Sequence, residues 1–198
     1  MTRRNLTLPL LLIIALVLSA CGNEKFKADI NYEIQPFEYT NQHNEKVSLD
    51  SLKGKPWLAM FIFTKCTTVC PPMTINMTDI QKSFKDKGLE DYNIVGFSVD
   101  PESDSPKVLK NHLKNYPVPD DSKWNLLTGY TQKEIESFAA KSFHAFVKKT
   151  DNTDQVTHQS TFFLVDQNGV VVKSYSGEID VPFDTIAIDM ETIIEDGK

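Results

Sequence analysis

Trp57-Leu58-Ala59-Met60-Phe61-Ile62-Phe63 is an unbroken apolar run between Gly54-Lys55-Pro56 and a polar stretch. A run of that length with no polar face predicts a strand covered on both sides, near the middle of a sheet. Beyond Pro72 the pattern changes period. Met73, Met77, Ile80 and Phe84 recur at i, i+4, i+7 and i+11, which predicts a helix reaching about Gly88 with its apolar stripe on the sheet. Tyr92 to Val99 reads as a second buried strand. Ser105-Pro106 supplies an N-cap and a proline at the first helical position, starting a helix that should run to about Tyr116. Leu126-Leu127 suggests a short strand, and Thr131 with Glu134 forms the capping box of a helix reaching about Ser142. Thr161–Val165 and Val170–Tyr175 flank Asp166-Gln167-Asn168-Gly169, where Asn-Gly is a strong hairpin signal. A last helix spans about Pro182 to Ile194. Strands alternating with helices, then a C-terminal hairpin and helix, predict an α/β fold with a mixed central sheet flanked by helices. The order fits a thioredoxin-like arrangement.

The first 20 residues follow a different rule. Arg3 and Arg4 precede an uncharged run from Leu6 to Ala20, the basic and apolar regions of an export signal. Fifteen residues that include Thr7 and Pro9 fall short of the roughly 20 needed to cross a bilayer core. The run ends Leu18-Ser19-Ala20-Cys21-Gly22, which resembles the bacterial lipobox, where the cysteine is lipidated and becomes the mature N-terminus; the plainer reading is a simple signal peptide or short anchor with a chance cysteine. Either way the chain is exported. Residues 22–35 are polar and aperiodic, so the expected organisation is a signal over 1–20, a membrane tether over 21–35 and one domain over 36–198.

Composition narrows the function classes. With 40% hydrophobic and 24% charged residues in 198, the chain has enough apolar material for one ordinary core. Loss of the first 20 residues removes two arginines and no acid, taking the formal charge from −6 to −8. That balance excludes a nucleic-acid partner, which would need a Lys/Arg-rich face. Of three cysteines, one is accounted for by the N-terminal segment, leaving a pair.

That pair, Cys66-Thr-Thr-Val-Cys70, lies between the first buried strand and the first helix and is followed by Pro71-Pro72. Proline is accepted in a helix's first turn and not in its interior, so the helix starts near Pro71 or Pro72 and both cysteines fall on the loop before it. Cys70 would then sit at the positive end of the helix dipole, where thiolate is favoured. Two such thiols can close a stabilising disulfide or face one metal ion, and the spacing permits both. His158, just before the first hairpin strand, is a third candidate donor. Two thiolates with an imidazole make a soft, copper-competent set. Met73 and Met77 read as core residues, and His43, His112 and His144 lack partners at ligand spacing.

These motifs together resemble the Sco/SenC copper proteins, membrane-tethered thioredoxin-like factors that help assemble the copper centre of cytochrome c oxidase. The resemblance covers the whole mature domain. It rests on Phe61-Ile62-Phe63-Thr64 before Cys66-Thr-Thr-Val-Cys70-Pro71, on Ser98-Val99-Asp100-Pro101-Glu102-Ser103-Asp104-Ser105-Pro106, and on His158-Gln159-Ser160. It implies that Cys66, Cys70 and His158 bind copper, Cu(I) or Cu(II), and that Asp100 has a supporting or weak axial role; the alternative for Asp100 is a turn acid that starts a helix. Many members have two serines after the histidine where this chain has Gln159-Ser160. Val156–Phe162 also lacks the cis proline that ordinary thioredoxins place opposite their cysteines, which weakens a general oxidoreductase reading.

The resemblance implies a metallochaperone that meets the copper-binding subunit of the oxidase at the extracytoplasmic face of the cell membrane, tethered through Cys21. One rival uses the same sulfurs: a thiol–disulfide oxidoreductase, recharged by a thiol reductant, that keeps the subunit's copper-site cysteines reduced. Another is a peroxide scavenger with Cys66 oxidised to a sulfenate and Cys70 resolving it.

Overall fold

The computed structural model describes residues 26–150, 153 and 155–197. Cys21 and the export segment lie outside them, and no described helix is long and apolar enough to cross a membrane. In chain order the strands are β1 (Tyr32–Glu33), β2 (Glu38–Thr40), β3 (Lys46–Ser48), β4 (Trp57–Ile62), β5 (Asn93–Ser98), β6 (Trp124–Leu127), β7 (Val147–Lys149), β8 (Val156–His158), β9 (Thr161–Val165) and β10 (Val170–Ser176). The helices are α1 (Leu49–Leu52), α2 (Cys70–Asp86), α3 (Pro106–Leu113), α4 (Gln132–Ser142) and α5 (Phe183–Asp196). Six strands form one sheet in the order β1-β10-β9-β4-β5-β6; β2–β3 and β7–β8 are separate two-stranded ribbons.

The unbroken apolar run is a central strand: β4 is parallel to β5 and antiparallel to β9, and all six of its residues are buried. Its side chains alternate between two cores. Trp57, Ala59 and Phe61 point into an aromatic cluster with Phe97, Phe138, Phe143 and Phe163, beneath α4. Leu58, Met60 and Ile62 point the other way, onto Met73, Met77, Ile80 and Phe84 of α2 and Ile186, Ala187 and Met190 of α5. The i, i+4, i+7, i+11 stripe therefore faces the sheet as its spacing requires. Gly96, on β5, is set by close approach, since a Cβ there would lie 2.7 Å from Leu126 Cδ2. The capping box at Thr131 and Glu134 is formed, and Gly169 closes the β9–β10 turn at a φ of +85°.

Three features depart from the sequence reading. The helix after Pro106 stops at Leu113; residues 114–116 close tight turns instead (Asn115 N–H to His112 O, Tyr116 N–H to Leu113 O), because Pro117 disfavours a helical Tyr116. Helix α2 begins at Cys70 itself, which is thus helical and no longer in the loop. And part of the span read as tether is folded: the Asp29 and Ile30 amides donate to Val172 O, Tyr32 and Glu33 pair with β10, and Ile34 is buried. Those residues line the sheet edge.

At the opposite edge a side chain stands in for a strand. The Gln42 amide donates to Trp124 O at 2.8 Å and accepts from Leu126 N–H at 2.7 Å, beside the Thr40–Thr128 bridge. The outer edge of β6 is thereby occupied.

Candidate metal and redox centre

The centre is assembled by three elements. β4 ends at Ile62, the chain turns through Thr64 and Lys65, and Cys66 follows, its amide hydrogen-bonded to Phe63 O. Cys70 opens α2, fully buried, and its carbonyl is taken by Thr74 Oγ1 at 2.9 Å. His158 ends β8, and its Nε2 lies 3.4 Å from Cys70 Sγ. Cys70 is the link between the other two residues that the resemblance names: its amide meets Cys66 Sγ and its sulfur meets His158 Nε2. Both cysteines are unpaired thiols.

The two sulfurs are inequivalent, and not in the sense expected from the helix dipole. The first amide of α2, Cys70 N–H, donates to Cys66 Sγ at 3.4 Å, so the field of the helix N-terminus acts on the other cysteine. Burial pushes the Cys66 thiol up, but hydrogen bonds from Cys70 and Thr68 outweigh it and hold Cys66 below the ordinary thiol range. Cys70 is driven well above that range, chiefly by burial, with the Cys66 sulfur and Asp104 adding repulsion. The helix does favour a thiolate, at Cys66.

His158 has a fixed tautomer. Nδ1 lies 3.1 Å from Gln159 O, an acceptor only, so Nδ1 carries the proton and Nε2 presents its lone pair to Cys70. Burial lowers the imidazole's pKa, keeping it neutral and able to donate an electron pair. Phe63 sits edge-on to the ring at 5.8 Å. Among the described residues no three His, Cys, Asp or Glu side chains are already spaced to hold a metal ion.

Asp100 is buried but turned to a different partner, Lys149 Nζ of β7 at 2.9 Å. Burial raises its carboxyl pKa, and the bonds from Lys149 and Ser103 more than reverse this, leaving it ionised below the usual range. Asp104, to which the sequence motif assigns no role, is a buried carboxyl tied to the cysteine loop: it accepts from Thr64 Oγ1 at 2.5 Å and from Ser98 Oγ at 2.6 Å. A buried acid beside a strand-end threonine leaves no sequence signal distinct from an ordinary turn. Lys149 was also missed, in a segment with no apolar alternation. Met73 and Met77 are fully buried core residues, and His144 stacks on Tyr32 at 3.8 Å.

Comparison with known proteins adds the family. The SCO1/SenC family model matches residues 26–195. The chain is 52% identical to the SCO1 protein homolog of Bacillus subtilis strain 168, over 91% of this chain and 92% of that one. Among solved structures, a SCO1/SenC family lipoprotein from Bacillus anthracis is similar at a TM-score of 0.79 with 43% identity, over 83% of this chain and 96% of that chain. BsSco, described with a disulfide switch and as a member of the Sco family of cytochrome c oxidase assembly proteins, superposes at 0.79 with 51% identity, over 85% and 97%. Bradyrhizobium japonicum ScoI, solved with copper bound, superposes at 0.68 with 29% identity, over 81% and 99%. The folds of these proteins are thioredoxin-like, as the strand and helix order of this one predicted, and with a family match over residues 26–195 the chain belongs to the SCO1/SenC family.

Proposed function

We propose that this protein binds copper through Cys66, Cys70 and His158 and serves assembly of the copper centre of cytochrome c oxidase, meeting the copper-binding subunit at the outer face of the membrane to which a lipidated Cys21 holds it. The observation that carries this reading is the 3.4 Å contact between Cys70 Sγ and a lone-pair-bearing His158 Nε2, with the Cys66 sulfur hydrogen-bonded to the Cys70 amide. Two donors each about 2.0–2.3 Å from one ion stand about 3–4 Å apart, so the contact already has the separation of a shared ion. Thiolate and neutral imidazole suit copper, and Cys66 Sγ, held on the Cys70 amide, is the adjacent third donor. Loading requires the Cys70 proton to leave, so affinity should rise with pH and vanish on disulfide formation.

Copper titration of the reduced protein, followed by absorption and paramagnetic resonance, should show one equivalent bound. His158→Ala should weaken binding by at least about a hundredfold, since loss of a group that only orients a ligand already costs about 10- to 100-fold. Undiminished affinity in that variant removes His158 from the site.

The inequivalence of the sulfurs favours a second reading. A lower-pKa Cys66 and a buried Cys70 are the attacking and resolving thiols that disulfide exchange needs. Cys66 would open a disulfide of the oxidase subunit, Cys70 would release the mixed disulfide, and the protein would leave as a Cys66–Cys70 disulfide with two electrons and two protons passed to the subunit. A thiol reductant would then restore the pair. Oxidase assembly retained by His158→Ala, despite lost copper affinity, selects this reading.

A further inference from the structure

His158 is not on the main sheet. It belongs to the β7–β8 ribbon, whose register pairs Val147 with His158 and Lys149 with Val156, so these four side chains share one face of the ribbon. That face turns inward: Val147 and Val156 enter the aromatic core, His158 meets Cys70, and Lys149 Nζ reaches Asp100 and Glu102, each at 2.9 Å. Asp100 and Asp104 begin and end one tight turn after β5, closed by the Ser103 and Asp104 amides donating to Asp100 O. From that turn Asp104 grips Thr64, two residues before Cys66. The turn thus holds the cysteine loop with one carboxylate and the histidine ribbon with the other.

We propose that the Asp100–Asp104 turn is a yoke that fixes the distance between the cysteine loop and the histidine ribbon, and that Lys149 is the positioning residue through which it holds His158. The inference rests on the metal reading only for its second measurement below. Other ties on the ribbon do not replace Lys149. Lys148 reaches Glu136 at 3.2 Å on the outward side, and Glu136 Oε1 takes the Lys149 amide, so both bind the ribbon to α4 and neither reaches the cysteine side of the molecule. The main groups facing Lys149 Nζ are Asp100 and Glu102, and its loss would leave a buried Asp100 carboxylate without its lysine partner.

The test uses the reduced, metal-free full chain. In Lys149→Met, backbone hydrogen exchange should become about tenfold faster at 147–149 and 156–158, the change expected for local opening eased by one lost ion-pair contact, with β4 and β5 unchanged. Lys149→Arg should restore protection. Glu102→Gln, which leaves Asp100 paired, should loosen the ribbon less and covers the case in which Lys149→Met does not fold. Unchanged exchange in both Lys149→Met and Glu102→Gln, or equal loosening of ribbon and sheet, overturns the yoke. The second measurement adds copper: the paramagnetic spectrum of Lys149→Met should broaden or shift relative to wild type, and Lys149→Arg should return it. If wild type binds no copper, the exchange result alone decides the yoke while the metal reading falls.

Discussion

Treated with a small alkylating agent at neutral pH, the reduced protein is expected to be modified at Cys66 at least about a hundredfold faster than at Cys70, because the thiolate is the reactive species and only Cys66 favours it. The two cysteines are four residues apart and both buried, yet the difference follows from which sulfur receives the α2 amide and which one is sealed off completely. The pH dependence has a definite sign. The Cys66 rate should reach its plateau below the pH where an ordinary thiol does, and should fall about tenfold per pH unit beneath its midpoint. Cys70 should stay protonated through the whole range. Mass spectrometry of quenched time points measures both rates, and a Cys66→Ala protein should be nearly inert where Cys70→Ala still reacts. Equal rates, or Cys70 reacting first, would show that the helix N-terminus acts on the other sulfur. The experiment also bears on exchange chemistry, since the faster thiol is the one a mixed disulfide must form on.

Phe97→Ala should cost about 3–5 kcal/mol, the range for an aromatic side chain deleted from a core that cannot collapse around the gap. Phe97 is fully buried on β5, and its ring centroid lies 5.1 Å from that of Phe138, 5.6 Å from Phe37 and 5.7 Å from both Phe61 and Phe143. Those partners come from β4, α4, the segment before β2 and the residue after α4, so no single backbone shift closes the cavity. For a domain of this size each kcal/mol shifts the midpoint by about 2–4 °C, giving an expected drop in Tm of about 6–20 °C by calorimetry. A loss under about 1 kcal/mol would mean that the aromatic cluster repacks.

Much of the framework could be read from strong local signals, some on fully buried residues and some on exposed caps and turns. The Trp57–Phe63 run, the Met73-to-Phe84 stripe, the Thr131–Glu134 box and the Asn-Gly turn each led to an element within a few residues of its observed limits, because in each a strong local signal agrees with the tertiary environment. What escaped was held by tertiary contact alone. β1 has two residues and exists because β10 offers it an edge; β7 and β8, Val-Lys-Lys and Val-Thr-His, show no alternation long enough to register. The β2–β3 ribbon turns through Asn44 at a φ of +63° with Asn41 Oδ1 taking two amides, polar chemistry easily mistaken for a loop. At the centre the sequence supplied the two cysteines and, through the family resemblance, the histidine. It could not supply the direction of the Cys70 amide, so the lower thiol was placed on the wrong cysteine. Nor could it show that Asp100 and Lys149, 49 positions apart, form one ion pair.

The two occupied edges of the main sheet bear on how copies of the protein behave beside one another. A strand such as Val170–Ser176 with a bare outer edge is a template on which another chain can add. Here residues 29–33 lie along its first three residues, Val170–Val172, and on the far side the Gln42 carboxamide fills the donor and acceptor positions that β6 would otherwise offer. Molecules tethered to one surface meet at raised effective concentration, which would drive edge-to-edge strand addition if either ladder were open. With β6 filled and Val170–Val172 covered, these stretches of the two edges offer no ladder for another copy to extend.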